Sequence, residues 1–138
     1  MKTYLILLLS LLTFNLYASD FSGHWAGDGK YISHSKSYLC SQYRISIMAT
    51  QENLSIFNGS YTCKGKLIEL SDYELIIHNN TLYQQNGKQV GTISDERITI
   101  LGSDPSYEIF ISRFEKNLFV IESTITSSRE EFMIGILR

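Results

Sequence analysis

The stretch Tyr73-Glu74-Leu75-Ile76-Ile77-His78-Asn79-Asn80-Thr81-Leu82-Tyr83-Gln84-Gln85-Asn86-Gly87-Lys88-Gln89-Val90-Gly91-Thr92-Ile93-Ser94-Asp95-Glu96-Arg97-Ile98-Thr99-Ile100-Leu101 sets the fold class. Short runs rich in Ile, Tyr, Val and Thr alternate with pairs of turn-forming residues, and no helical stripe runs through them. Asn86-Gly87 supplies the positive φ angles of a type I′ hairpin. It predicts Tyr83 opposite Val90 and Leu82 opposite Gly91. Asn79-Asn80 predicts a second tight turn, with Ile77 opposite Leu82 and Ile76 opposite Tyr83. Asp95-Glu96 predicts a third, with Ile93 opposite Ile98. Three successive tight turns make a four-stranded up-and-down meander.

The same pattern extends outward in both directions. Strands are expected near 23–33, 39–49, 54–63, 66–71, 73–78, 81–85, 88–94, 97–102, 107–115, 118–126 and 131–138, some merging to give about eight to ten. Glu115-Lys116-Asn117 joins one later pair and Ser127 to Glu130 the last. The connections are short, so sequence neighbours are expected to be sheet neighbours. Pro105 is the only proline, and it falls in the turn Gly102-Ser103-Asp104-Pro105-Ser106, where no ladder donor is needed. An open sheet of this size leaves two unpaired edges, and closure removes them. The last strand, Glu131 to Arg138, is apolar on both faces, and the first strand is its natural partner. The expected fold is all-β: a single up-and-down antiparallel barrel over 19–138, preferred to an open sandwich, with no substantial helix.

Residues 1–18 are read as a cleaved secretory signal peptide. Lys2 precedes an apolar core from Leu5 to Leu12, and Ala18 stands before polar Ser19-Asp20. The apolar run is shorter than the ~20 residues of a membrane helix, and Asn15 interrupts it. The expected location is periplasmic or extracellular. The strands from 66 to 102 are too short for a membrane barrel, and neither face of Thr81-Leu82-Tyr83-Gln84-Gln85 is continuously apolar. About 120 residues then form one domain with a single core.

The chain holds 12 Lys+Arg against 14 Asp+Glu, a formal net charge of −2, which offers no footprint for nucleic acid. Only two cysteines occur. With Thr50-Gln51-Glu52-Asn53 as a loop closed by Ala49 opposite Leu54, Ile47 faces Ile56, Ile45 faces Asn58, and Cys40 falls opposite Cys63. An oxidising compartment then makes a Cys40–Cys63 disulfide the expectation. A bulge at Gly59 would shift that register.

Phe21-Ser22-Gly23-His24-Trp25-Ala26-Gly27 opens the domain. The G-x-W at Gly23-His24-Trp25, in the first strand of a small exported barrel, resembles the lipocalin (calycin-type) superfamily. The resemblance implies that Gly23 and Trp25 are structural, with the Trp closing one end under an internal cavity for a small apolar molecule.

Other chemistry is sparse. His24 and Asp28 share a strand face but lie about 13 Å apart, too far for one metal ion. His34 and His78 fall in loops or turns. No serine lies in a nucleophile elbow, and Asp20, Glu74 and Glu108 form no recognisable pair. Arg44, Arg113 and Glu122 can line a polar interior, but the solvent face of a half-exposed strand is the favoured reading. Asn53, Asn58 and Asn79 begin glycosylation sequons, relevant only in a eukaryotic source. Phe57, Tyr61, Tyr83, Phe110, Phe114, Phe119 and Phe132 are available to fill a barrel. Neither an enzyme nor a cofactor is expected. The first functional reading is an exported carrier holding a small apolar or amphipathic ligand. The alternative is a filled barrel that binds another protein, as an inhibitor or envelope component, with Tyr38, Tyr73 and Tyr107 near strand ends as a surface.

Overall fold

A computed structural model describes residues 21–102, 104 and 106–138. The signal peptide expected over 1–18, and Asp20, lie outside the described residues. The strands are β1 (Gly23–Ser33), β2 (Lys36–Ala49), β3 (Asn53–Cys63), β4 (Lys66–Glu69), β5 (Tyr73–His78), β6 (Thr81–Tyr83), β7 (Gln89–Ile93), β8 (Arg97–Leu101), β9 (Tyr107–Phe114), β10 (Asn117–Ile125) and β11 (Glu130–Leu137). They form one antiparallel sheet that closes on itself. β1 pairs β2 on one edge and β11 on the other, and β2 also pairs β3. Ten strands make the ring. That falls within the expected eight to ten, and an eleventh strand, β4, stands outside the ring and pairs only with β3.

β4 and β5 lie in succession along the same edge of β3. β5 pairs Asn53 to Ile56, and β4 pairs Ser60 to Cys63. They amount to one strand broken at 70–72. The break faces Asn58-Gly59, where the Leu70 N–H donates to the Gly59 carbonyl at 2.8 Å and the Asn58 N–H to Asp72 Oδ1 at 3.2 Å.

Turn chemistry explains most of the register. Asn79 and Asn80 have φ of 49° and 61°, as a I′ turn needs, and Ile77 pairs Leu82 as expected. Ile93 pairs Ile98 across Asp95-Glu96, also as expected. His34-Ser35 and Lys64-Gly65 make two more turns with paired positive φ angles, so β2 begins at Lys36 rather than 39. The Asn86-Gly87 hairpin departs from expectation. Only Gly87 has positive φ there, at 82°, and its N–H donates to the Gln84 carbonyl at 2.9 Å. Gln85 and Asn86 are therefore the centre of the turn, and Gly87 takes the left-handed position after it. This wider connection needs an extra residue on the return strand. Leu82 keeps Gly91 as partner, while Tyr83 pairs Gln89 instead of Val90.

The β2–β3 pair carries two bulges that cancel. Ala49 to Ser46 pair Leu54 to Phe57 as expected, but Asn58-Gly59 together oppose Ile45, with Asn58 at φ 54°. The expected Ile45–Asn58 pair is therefore lost. Further along, Gln42-Tyr43 oppose Tyr61, with Gln42 at φ 53°, and the register returns. Cys40 meets Cys63 with Cα atoms 4.4 Å apart, the close spacing of a non-hydrogen-bonded pair, and the two form the disulfide.

The core lies inside the ring. Ile45, Ile47, Leu54, Ile56, Leu75, Leu82, Val90, Ile98, Ile100, Ile111, Leu118, Val120 and Leu137 are buried there. Phe21 is fully buried at the end where β1 begins. The seven large aromatics available to fill a barrel are mostly elsewhere. Of the seven, only Tyr61 is buried. Phe110 and Phe119 sit on the opposite parity from buried Ile109, Ile111, Leu118 and Val120, and Phe114 is exposed. Ile, Val and Leu side chains pack most of the interior, and the aromatics inside it are Phe21 at one end and a group of tyrosines toward the other.

The disulfide closes a loop of about 24 residues, so replacing both cysteines with alanine is expected to cost roughly 3 kcal/mol. Urea unfolding of the double variant checks this, and an unchanged midpoint would sink the assignment of the staple as a main stabiliser.

Candidate functional site

The two ends of the ring differ. At the end where β1 starts, Phe21 seals the interior and its carbonyl accepts the Trp25 Nε1–H at 3.0 Å. Ser22 Oγ ties this segment to β2 by accepting the Ala49 N–H at 2.9 Å. Gly23 holds φ of 152°, a backbone region that L side chains rarely adopt. Trp25 is half-buried and packs against the core. The other end, with the His34-Ser35, Lys64-Gly65 and 126–129 turns, holds a cavity of about 510 Å³. Tyr31, Tyr61, Tyr107, Glu122, Thr124 and Met133 line its inner wall. Lys64, Lys66, Leu67, Ile68, Arg129 and Glu131 surround its mouth.

Glu122 is the unusual residue. It shares the inward parity of Leu118 and Val120 on β10 and is only 6% exposed. Its cross-strand neighbours, Ile109 on β9 and Met133 on β11, are both buried and apolar. The favoured reading of Glu122 as a solvent-face residue is therefore corrected. The strand is apolar on both parities, so alternation alone does not reveal which one faces in. Among the described residues, one hydrogen bond reaches the carboxylate: the Tyr43 hydroxyl donates to Oε1 at 3.0 Å.

Tyr43 gets there because two glycines make room. Gly29 and Gly135 are cross-strand partners on β1 and β11. A methyl group on Gly135 would overlap the Tyr43 ring, and one on Gly29 would meet the Met133 side chain and the Ile134 carbonyl. The Tyr43 ring lies fully buried over this slot and packs at 5.2 Å and 58° against Tyr61. A band of phenols results, with Tyr43, Tyr61, Tyr73 and Tyr107 contributed by β2, β3, β5 and β9.

Electrostatics follow from burial. Loss of water pushes the Glu122 carboxyl up from the usual 4.5 to about 7, against the opposing pull of the Tyr43 hydrogen bond. The four phenols are all raised above their ordinary value of 10.0, first by burial and then by the Glu122 charge. They stay neutral donors at any physiological pH.

At the mouth, Arg129 and Glu131 form an ion pair at 2.5 Å, and its hydrogen bond holds the Glu131 carboxyl below the usual carboxylate range. Lys64 Nζ lies 3.3 Å from the centroid of the Tyr38 ring, which stacks on Tyr31 at 6.5 Å. Cys63, bonded to Cys40, also lines this cavity. Of Tyr38, Tyr73 and Tyr107, expected near strand ends as a surface, Tyr38 stands at the rim, Tyr107 in the wall, and Tyr73 packs against the core.

The remaining candidates are dispersed. His24 is exposed, with Nδ1 2.8 Å from Ser46 Oγ, and Asp28 is exposed elsewhere on β1. His34 and His78 are exposed beside turns. Arg44 is exposed and Arg113 half-buried. Glu74 and Glu108 alternate with inward Leu75 and Ile109, on different strands. Among the described residues, no three His, Cys, Asp or Glu side chains gather as a metal site. No described helix is long and apolar enough to cross a membrane. The disulfide is compatible with an oxidising compartment. No family model, curated protein or solved structure matches the chain.

The raised Glu122 pKa has a signed consequence for stability. Between the unfolded value and the folded one, the native state holds a proton that the unfolded state has released. Stability is therefore full below about pH 4.5 and falls as pH rises through about 7. The loss is roughly 3 kcal/mol. Glu122→Gln is expected to flatten this slope and to be the more stable protein at pH 8. Urea midpoints of both proteins from pH 5 to 8 measure it, and parallel curves would contradict a buried titrating carboxyl.

Proposed function

We propose that this chain is an exported binding protein that holds a small amphipathic molecule in the open end of its barrel-like ring. The observation that supports the reading is the cavity of about 510 Å³ above the tyrosine band. That volume is in the range of small-molecule pockets, which are apolar in the main with a few placed polar groups. Here the apolar part comes from Leu67, Ile68, Phe132 and Met133, and the polar part from Glu122, Thr124 and the phenols. One end of the ring is packed and the other open, so a ligand has one way in. This is the arrangement that the resemblance to lipocalins implies, with Trp25 of the G-x-W motif at the packed end beside Phe21.

The signal-peptide reading of residues 1–18 and the Cys40–Cys63 bond both favour export. Binding rather than catalysis is the better account of the cavity. Among the described residues, the groups packed closest to its carboxyl are phenols that do not ionise at neutral pH, and Glu131 at the mouth is paired with Arg129.

Native mass spectrometry of protein purified gently from its own host tests the proposal. A bound species of a few hundred daltons, released on denaturation, is the expected result. Repeated recovery of bare polypeptide would count against a carrier and favour the protein-interaction alternative.

A further inference from the structure

Resting on the carrier reading, we propose that the ligand is a small organic cation, an amine carrying an apolar body, whose ammonium group is held by the Glu122 carboxylate within the tyrosine wall. The first support is the state of Glu122. A carboxyl that is 94% shielded from solvent, on the wall of a cavity, with one neutral donor and no cationic partner among the described residues, is under-compensated when ionised. A ligand bringing a positive charge and N–H donors supplies what the protein withholds. An anionic headgroup at the same depth would meet like charge, and a purely apolar ligand would leave the carboxylate without compensation.

The second support is the surrounding wall. Tyr31, Tyr61 and Tyr107 line the cavity with Glu122, and aromatic faces attract a desolvated cation through the ring quadrupole. The titratable groups nearest Glu122 are phenols: Tyr43 from β2, Tyr61 from β3, Tyr73 from β5 and Tyr107 from β9, with Tyr31 of β1 further along the wall. β11 presents Met133 beside it and Glu131, paired with Arg129, toward the mouth, and β10 itself presents Val120 and Thr124. The charged groups of the mouth are occupied or exposed. Arg129 pairs with Glu131, Lys64 lies on Tyr38, and Lys66 faces solvent, where salt screens it. Leu67, Ile68 and Phe132 at the mouth then receive the apolar body.

Because the carboxyl titrates near neutral pH, cation binding is linked to proton release. Amine affinity is expected to rise from pH 5.5 to 8. A neutral ligand of the same shape should show no such slope.

Isothermal titration calorimetry on the full exported chain, with phenethylamine, 2-phenylethanol and 3-phenylpropionate as probes, decides the matter. The expected result is that the amine binds at least tenfold more tightly than the alcohol, and that the carboxylate is the weakest. Glu122→Gln should cut amine affinity by at least about tenfold while moving the alcohol little, because only a charged partner is lost. Thermal melting confirms that the variant is folded. If the alcohol or the carboxylate matches the amine, or if Glu122→Gln leaves amine binding intact, the cation assignment falls while the carrier reading stands. If none of the three binds, the cation assignment also falls, and the native mass measurement decides the carrier reading separately.

Discussion

β1 is hydrogen-bonded on both edges, to β2 and to β11, and this double pairing turns a long meander into a ring. An antiparallel sheet with ten strands in sequence would otherwise leave two ladders of unpaired N–H and C=O groups. Closure settles that, but it creates an interior that side chains must fill at native density. The lower part of the ring is filled by Ile, Leu and Val with Phe21 as the seal. Higher up, Gly29 and Gly135 face each other across the β1–β11 ladder, and the Tyr43 ring occupies the space they leave. The closure seam is thus also what aims the Tyr43 hydroxyl at Glu122.

A carboxyl between Ile109 and Met133 is a poor choice for stability alone. Replacing it with a residue of similar size and no charge would remove a desolvation cost of several kcal/mol in the ionised state. Its one hydrogen bond offsets part of this. Groups of this kind concentrate where proteins bind or react, since a site must keep unsatisfied polarity for its ligand. The neighbouring phenols reinforce the point, because they stay protonated and so remain donors and neutral aromatic faces. The cavity and the carboxyl are two views of one arrangement. The ring is wider at its open end than its side chains fill, and the polar group sits where packing stops.

How far the sequence revealed this depends on the element. Asn79-Asn80 marked its turn because Asn tolerates the left-handed region, and the flanking residues paired as the turn required. Asn86-Gly87 looked stronger still, yet only Gly87 took positive φ, and one register position moved. The cysteine pair was placed correctly through a register that holds at both ends and slips between them. The bulge at Asn58-Gly59 was foreseeable from Gly59, whereas its cancellation at Gln42 was not, since Gln carries no signal for positive φ. Glu122 was hidden because β10 alternates Leu118 and Val120 with Phe119 and Ile121, and neither parity reads as the wet one. The cavity is a difference between ring size and side-chain volume, a quantity that strand patterns do not contain.

The central claim is that an ionisable carboxyl lies inside the ring on the wall of its cavity. Carbon-13 NMR of the Glu122 side-chain carboxyl, followed against pH in the purified protein, measures it directly. The account predicts a midpoint near pH 7, displaced upward from 4.5 by burial. A midpoint at 4.5 or below would place the carboxyl in water or against a cation, and would contradict its burial inside the ring.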